Sequence, residues 1–213
     1  MTLKLKKFNY LPNILTIFRV ALIPLFVFFL FQKEFLYQFL SLIVFIIASI
    51  TDYIDGKIAR KYRWETKLGR FLDPLADKLL VLTAFFCFSF KPENNIPFWL
   101  VLIILLREIG ITLLRIFAIT KGSEVKTSFL GKLKTVTQMI AIITTLVLMC
   151  IRTFLLEYRI VYVENNKFFW QNIAGKIPGI FLNYLPLILL IIVLFVTFYS
   201  GIVYIIVNRK FIK

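Results

Sequence analysis

Six apolar stretches of about 18 residues or more recur along the chain, at roughly 13–31, 35–58, 68–90, 97–120, 135–156 and 183–207. A bilayer core of roughly 30 Å takes about 20 helical residues to cross. Lipid offers no hydrogen-bond partners, so backbone at that depth must satisfy itself, and apolar runs of this length imply helices rather than strands. The expected fold is therefore all-α: a polytopic membrane protein with six transmembrane helices, forming a single domain over residues 1–213. A short juxtamembrane segment, 1–12, precedes the first helix. That segment carries Lys4, Lys6 and Lys7 and so resembles the start of a signal peptide. The long run behind it, bearing Arg19 and Pro24 with no small-residue cleavage site, favours a retained helix.

The formal net charge of +15 could suggest a nucleic-acid partner, but its distribution argues otherwise. With the N-terminus on the cytoplasmic side, sixteen Lys and Arg fall in cytoplasmic segments and six (Lys33, Lys91, Arg152, Arg159, Lys167 and Lys176) on the opposite side. That asymmetry predicts an N-in, C-in topology. A basic cytoplasmic face also suits anionic headgroups and phosphorylated substrates, and no nucleic acid is expected. Residues 157–182 read as an extracytoplasmic loop with a short interfacial helix around 168–173. Trp64, Trp99 and Trp170 fall near membrane borders, as interfacial anchors do.

Chemistry concentrates in one place. All four aspartates, Asp52, Asp55, Asp73 and Asp77, lie within a 26-residue stretch between long apolar runs. Asp52 and Asp55 are three apart and share a helix face with Gly56 and Ala59; Asp73 and Asp77 are four apart, following Gly69. Two such helices joined by a short loop are antiparallel neighbours, so their acidic faces can converge over the space the small residues leave. Converging carboxylates in low dielectric repel one another and take up protons unless a cation compensates them. The chain has no histidine, and Cys87 and Cys150 show no paired spacing. The metal that fits is thus a hard one, magnesium or manganese, and a pair of such ions can clamp an in-line phosphoryl displacement. Arg60, at the mouth of the same helix, is placed as a phosphate fork.

The pattern Asp52-x-x-Asp55-Gly56-x-x-Ala59-Arg60, eight residues, then Gly69-x-x-x-Asp73-x-x-x-Asp77 resembles the signature of the CDP-alcohol phosphotransferases. The resemblance implies an integral membrane enzyme, commonly a homodimer, that joins a CDP-linked substrate to an alcohol and releases CMP. It implies that Asp52, Asp55, Asp73 and Asp77 bind two magnesium or manganese ions and that Asp77 is also the general base. Gly56, Ala59, Arg60, Thr66 and Gly69 would contact CDP-diacylglycerol.

Further segments look like the bacterial phosphatidylglycerophosphate synthases within that family. One is Leu11-Pro12-Asn13-Ile14-Leu15-Thr16 with Arg19 and Pro24, which adds Asn13 and Thr16 to the donor site. Others are Arg107-Glu108-Ile109 with Arg115, and Gly131-Lys132-Leu133-Lys134-Thr135 running into Gln138-Met139. By this similarity the acceptor is glycerol 3-phosphate. Arg107 and Arg115 are eight apart, close to one face of a helix, and with Lys132 and Lys134 they supply the cations that a phosphate-bearing acceptor requires. The structural alternative is that Arg107 pairs with Glu108 or Glu93 and that the lysines only mark topology. Other readings of function are a sister transferase with another acceptor (inositol phosphate, serine or phosphatidylglycerol) or a cation transporter. Transporters usually show repeat symmetry or broken helices in both halves, and neither is visible here.

Overall fold

A computed structural model describes the backbone of residues 11–62, 67–120, 129–158, 161–164, 167–170 and 176–207, and the side chains of 17–51, 78–114, 131–158 and 183–207. Six helices run along it: α1 (Leu11–Phe31), α2 (Phe35–Tyr62), α3 (Lys67–Ser89), α4 (Phe98–Thr120), α5 (Phe129–Glu157) and α6 (Lys176–Val207). Each coincides with one of the six apolar stretches. The helices extend past the apolar runs into more polar sequence, most clearly at the end of α2 and the start of α5. Among the described residues, two helical stretches, Gly131–Glu157 and Asn183–Val207, are by length and composition sufficient to cross a membrane.

The interval between α5 and α6 departs from expectation. Instead of a helix around 168–173, residues Val161–Glu164 (β1) and Lys167–Trp170 (β2) pair antiparallel, Val161 opposite Trp170 and Glu164 opposite Lys167. The cause is local. Val161-Tyr162-Val163 and Phe168-Phe169-Trp170 are β-branched and aromatic residues flanking a two-residue link, which is hairpin chemistry.

The chain divides into two compact units, residues 1–87 with 146–159 and residues 88–145 with 160–213. In the first unit, α1 and α2 form a helical hairpin. Phe26 packs on Phe45 with ring centroids 5.7 Å apart, and Phe29 stacks on Tyr37 at 5.9 Å. The turn between them is closed by side chains. Gln38 Nε2 donates to the carbonyls of Leu30 (2.8 Å) and Gln32 (2.6 Å), satisfying orphan acceptors at the end of α1. The Phe35 amide at the start of α2 donates to Glu157 Oε2 at the end of α5 (3.2 Å), and Phe154 meets Phe35 edge-on at 5.4 Å.

In the second unit a 3-10 turn, Pro92–Asn94, leads into α4, and Asn95 follows it in the left-handed region at φ 51°. Asparagine tolerates that conformation because its short amide can bond locally. Here the Asn95 side chain instead donates to the Asn183 carbonyl on α6, at 3.2 Å. Helix α6 is patterned for lipid. Its exposed residues Ile188, Ile192, Phe195, Tyr199, Ile202 and Ile206 recur every three to four positions, while Asn183, Thr197, Ser200 and Gly201 are buried on the other side. Large apolar residues outside and small polar ones inside reverse the arrangement of a soluble surface helix. This is how helices pack where lipid is the solvent.

Candidate active site

The four aspartates lie on two consecutive helices. Asp52, Asp55, Gly56, Ala59 and Arg60 belong to the last turns of α2, and Gly69, Asp73 and Asp77 to the first half of α3. The helical backbone makes the three- and four-residue spacings real neighbour relations along each helix. Asn13 and Thr16 stand in the first turns of α1, and Arg115 in the second half of α4. The side chains of these residues, and Thr66 altogether, lie outside the described residues. Among the described residues no cluster of metal-ligating side chains is found elsewhere, and both cysteines are free and buried in helices.

The acceptor-side cations can be followed atom by atom. Arg107 Nη1 donates to Glu108 Oε1 at 3.3 Å, and Lys134 Nζ approaches Glu108 Oε2 at 2.7 Å. Gln138 Nε2 also donates to Glu108 Oε1, at 3.3 Å. All of these side chains are largely shielded: Arg107 is 10% exposed, Glu108 5% and Lys134 13%. One carboxylate therefore holds two cations from α4 and α5, and the cluster carries one more positive charge than negative. The pairing of Arg107 with Glu108 is the contact that the structural alternative anticipates, while Glu93 instead meets Lys91 at 3.7 Å. Lys132 is exposed and takes no part in the cluster, because two residues along a helix from Lys134 it points to another side.

Burial at this level gives the cluster its electrostatic weight. Taking a charge out of water costs several kcal/mol, and an ion pair recovers that only when its hydrogen bonds are well made. Glu108 accepts from three donors and meets that condition. Arg107 does not, since its Nε is buried with no hydrogen-bond partner. That unmade hydrogen bond leaves part of the cost of burying the guanidinium without compensation.

Sequence reasoning named Glu108 within a motif and as a possible ion-pair partner and Gln138 only within a motif, and it did not single out Gly201. A Cβ added to Gly201 on α6 would lie 2.9 Å from Nε and 2.9 Å from Nη2 of Arg107. A glycine inside the apolar run 183–207 was the available signal, since such a glycine often has a packing reason.

The chain is similar in sequence to known proteins. The chain is 40% identical over 141 residues to the CDP-diacylglycerol--glycerol-3-phosphate 3-phosphatidyltransferase of Haemophilus influenzae, an alignment covering 64% of this chain and 74% of that protein. It is 39% identical over 144 residues to the protein of the same name from Bacillus subtilis, covering 62% of this chain and 74% of the relative. Against the Escherichia coli K12 protein of that name the identity is 38% over 141 residues, covering 64% and 75%. The CDP-alcohol phosphatidyltransferase profile matches residues 9–208, nearly the whole length, so this chain belongs to the CDP-alcohol phosphatidyltransferase family.

Proposed function

We propose that the chain transfers the phosphatidyl group of CDP-diacylglycerol to sn-glycerol 3-phosphate, giving phosphatidylglycerophosphate and CMP. The observation that carries the reading is the 38 to 40% identity to three bacterial proteins named for that transfer. The charge layout supports it independently. Two shielded cations on α4 and α5, Arg107 and Lys134, suit an acceptor that bears a phosphate, whereas a serine acceptor would not need them.

The donor set fits a hard divalent metal, being made of carboxylates in a chain without histidine. Asp52, Asp55, Asp73 and Asp77 would hold two magnesium or manganese ions, which when bound neutralise the charge that develops on the pyrophosphate oxygens. Arg60 binds the donor phosphate. Gly56, Ala59 and Gly69 keep room beside the acids for the donor, and Asn13, Thr16 and Thr66 add polar contacts to it. Arg107, Arg115, Lys132 and Lys134 bind and orient the acceptor through its phosphate. Asp77 accepts the proton of the acceptor's C1 hydroxyl, whose oxygen bonds to the phosphorus attached to diacylglycerol while the bond from that phosphorus to the CMP oxygen breaks. Proton removal late in the step makes a carboxylate an adequate base for an alcohol.

The same reading makes residues 1–213 one membrane domain with six spans and both ends in the cytoplasm, a homodimer of the bacterial cytoplasmic membrane with its active site facing the cytosol. The Lys and Arg asymmetry and the lipid-facing stripe of α6 support it. Metal dependence tests the acidic half of the proposal. Purified protein in mixed micelles with CDP-diacylglycerol and glycerol 3-phosphate should lose CMP release on chelation and regain it with magnesium or manganese. Full activity after metal stripping would rule the acidic site out.

A further inference from the structure

Gly201 sits on the buried side of α6, opposite the lipid-facing stripe. A Cβ there would stand 2.9 Å from Nε, 2.9 Å from Nη2 and 3.3 Å from Cζ of Arg107. Equal distances to the two nitrogens and a longer one to the carbon put that point in front of the Nε/Nη2 edge. The guanidinium edge is thus seated directly on the helix, so closely that no side chain fits between. From its other side Nη1 donates to Glu108 Oε1 at 3.3 Å. The guanidinium is held between a carboxylate on its own helix and a glycine on another. By contrast, Gly110 and Gly131 have nothing within 4 Å of the equivalent position, so among the described glycines close approach is particular to Gly201. The seat is not made for stability, because Nε is buried there without a partner and an unmade hydrogen bond in such a place is costly.

We propose that Gly201 is a positioning residue for the acceptor: by lacking a side chain it lets the Nε/Nη2 edge of Arg107 rest against α6, so that the guanidinium turns its remaining N–H groups to the acceptor's phosphate. The inference rests on the reading of Arg107 as a phosphate ligand. It extends the acceptor site to α6, where the sequence offered only hydropathy. Alanine is a better helix former than glycine, and the atoms it would meet are the far end of a flexible side chain. Gly201→Ala therefore moves the arginine and spares the helix.

The test is a double-mutant comparison on the full-length protein in mixed micelles, with KM measured for each substrate and Tm for each variant. Gly201→Ala should raise the KM for glycerol 3-phosphate by about 10-fold, within the range expected for losing a charged hydrogen bond. The KM for CDP-diacylglycerol and the Tm should stay near those of the parent. In an Arg107→Ala background, where the acceptor KM is already raised, adding Gly201→Ala should change nothing, because the group it displaces is gone. If Arg107→Ala raises the acceptor KM and Gly201→Ala does not, the positioning role is wrong. A loss of Tm or activity caused by Gly201→Ala equally in both backgrounds would make Gly201 a packing residue and overturn the proposal as well. If Arg107→Ala itself leaves the acceptor KM unchanged, the phosphate-ligand reading has failed first, and the role of Gly201 falls with it.

Discussion

Asp77→Asn should lower turnover by about 10²- to 10⁴-fold, the usual range for removing a general base, while leaving affinity for CDP-diacylglycerol close to that of the parent. The asparagine keeps the size of the side chain and one oxygen able to face a metal, but it cannot take a proton near neutral pH. Asp52→Asn serves as the contrast. Asp52 is given no part in proton transfer, so its loss should weaken metal and donor binding together and be partly offset by raising the magnesium concentration. Donor affinity and CMP release for both variants at saturating magnesium separate the two roles. Near-normal turnover in Asp77→Asn would move the base assignment to another carboxylate of the cluster.

Replacement of Glu108 should have the largest effect on stability. Its carboxylate accepts from Arg107, Lys134 and Gln138 while only 5% exposed. In Glu108→Leu two shielded cations would face each other without it, and breaking a buried ion pair from one side costs about 3 to 5 kcal/mol. Thermal unfolding in detergent should show a drop of several degrees, with a rise in the KM for glycerol 3-phosphate as Arg107 and Lys134 lose their shared anchor. Glu108→Gln preserves shape and should fall between the parent and Glu108→Leu in both measurements. A Glu108→Leu protein as stable as the parent would mean that the cations find other partners and that the carboxylate does not organise them.

What the chain discloses about itself follows from the range of the interactions concerned. Long apolar runs locate all six helices because an unbroken apolar stretch is a local feature, and a helix satisfies its backbone hydrogen bonds within that stretch. The aspartate spacings are equally local, and α2 and α3 are helical across every one of them. The hairpin at Val161–Trp170 was readable in principle from its β-branched and aromatic alternation. Its strands are only four residues each, and inside a polar interval they look like loop. The partner of Arg107 was a choice between Glu108 and Glu93, and only the folded chain decides it. Gly201 lies 94 positions beyond Arg107 in the chain, so its role depends on how α6 meets α4, which no local pattern encodes.

The most direct test of the central claim is an acceptor panel on the purified, magnesium-loaded protein with CDP-diacylglycerol as donor. CMP release and the lipid product would be followed separately for glycerol 3-phosphate, inositol phosphate, serine and phosphatidylglycerol. The account predicts stoichiometric CMP and phosphatidylglycerophosphate with glycerol 3-phosphate, at a kcat/KM well above that for any other acceptor. Preferential turnover of serine or phosphatidylglycerol, neither of which offers a terminal phosphate to Arg107 and Lys134, would contradict it.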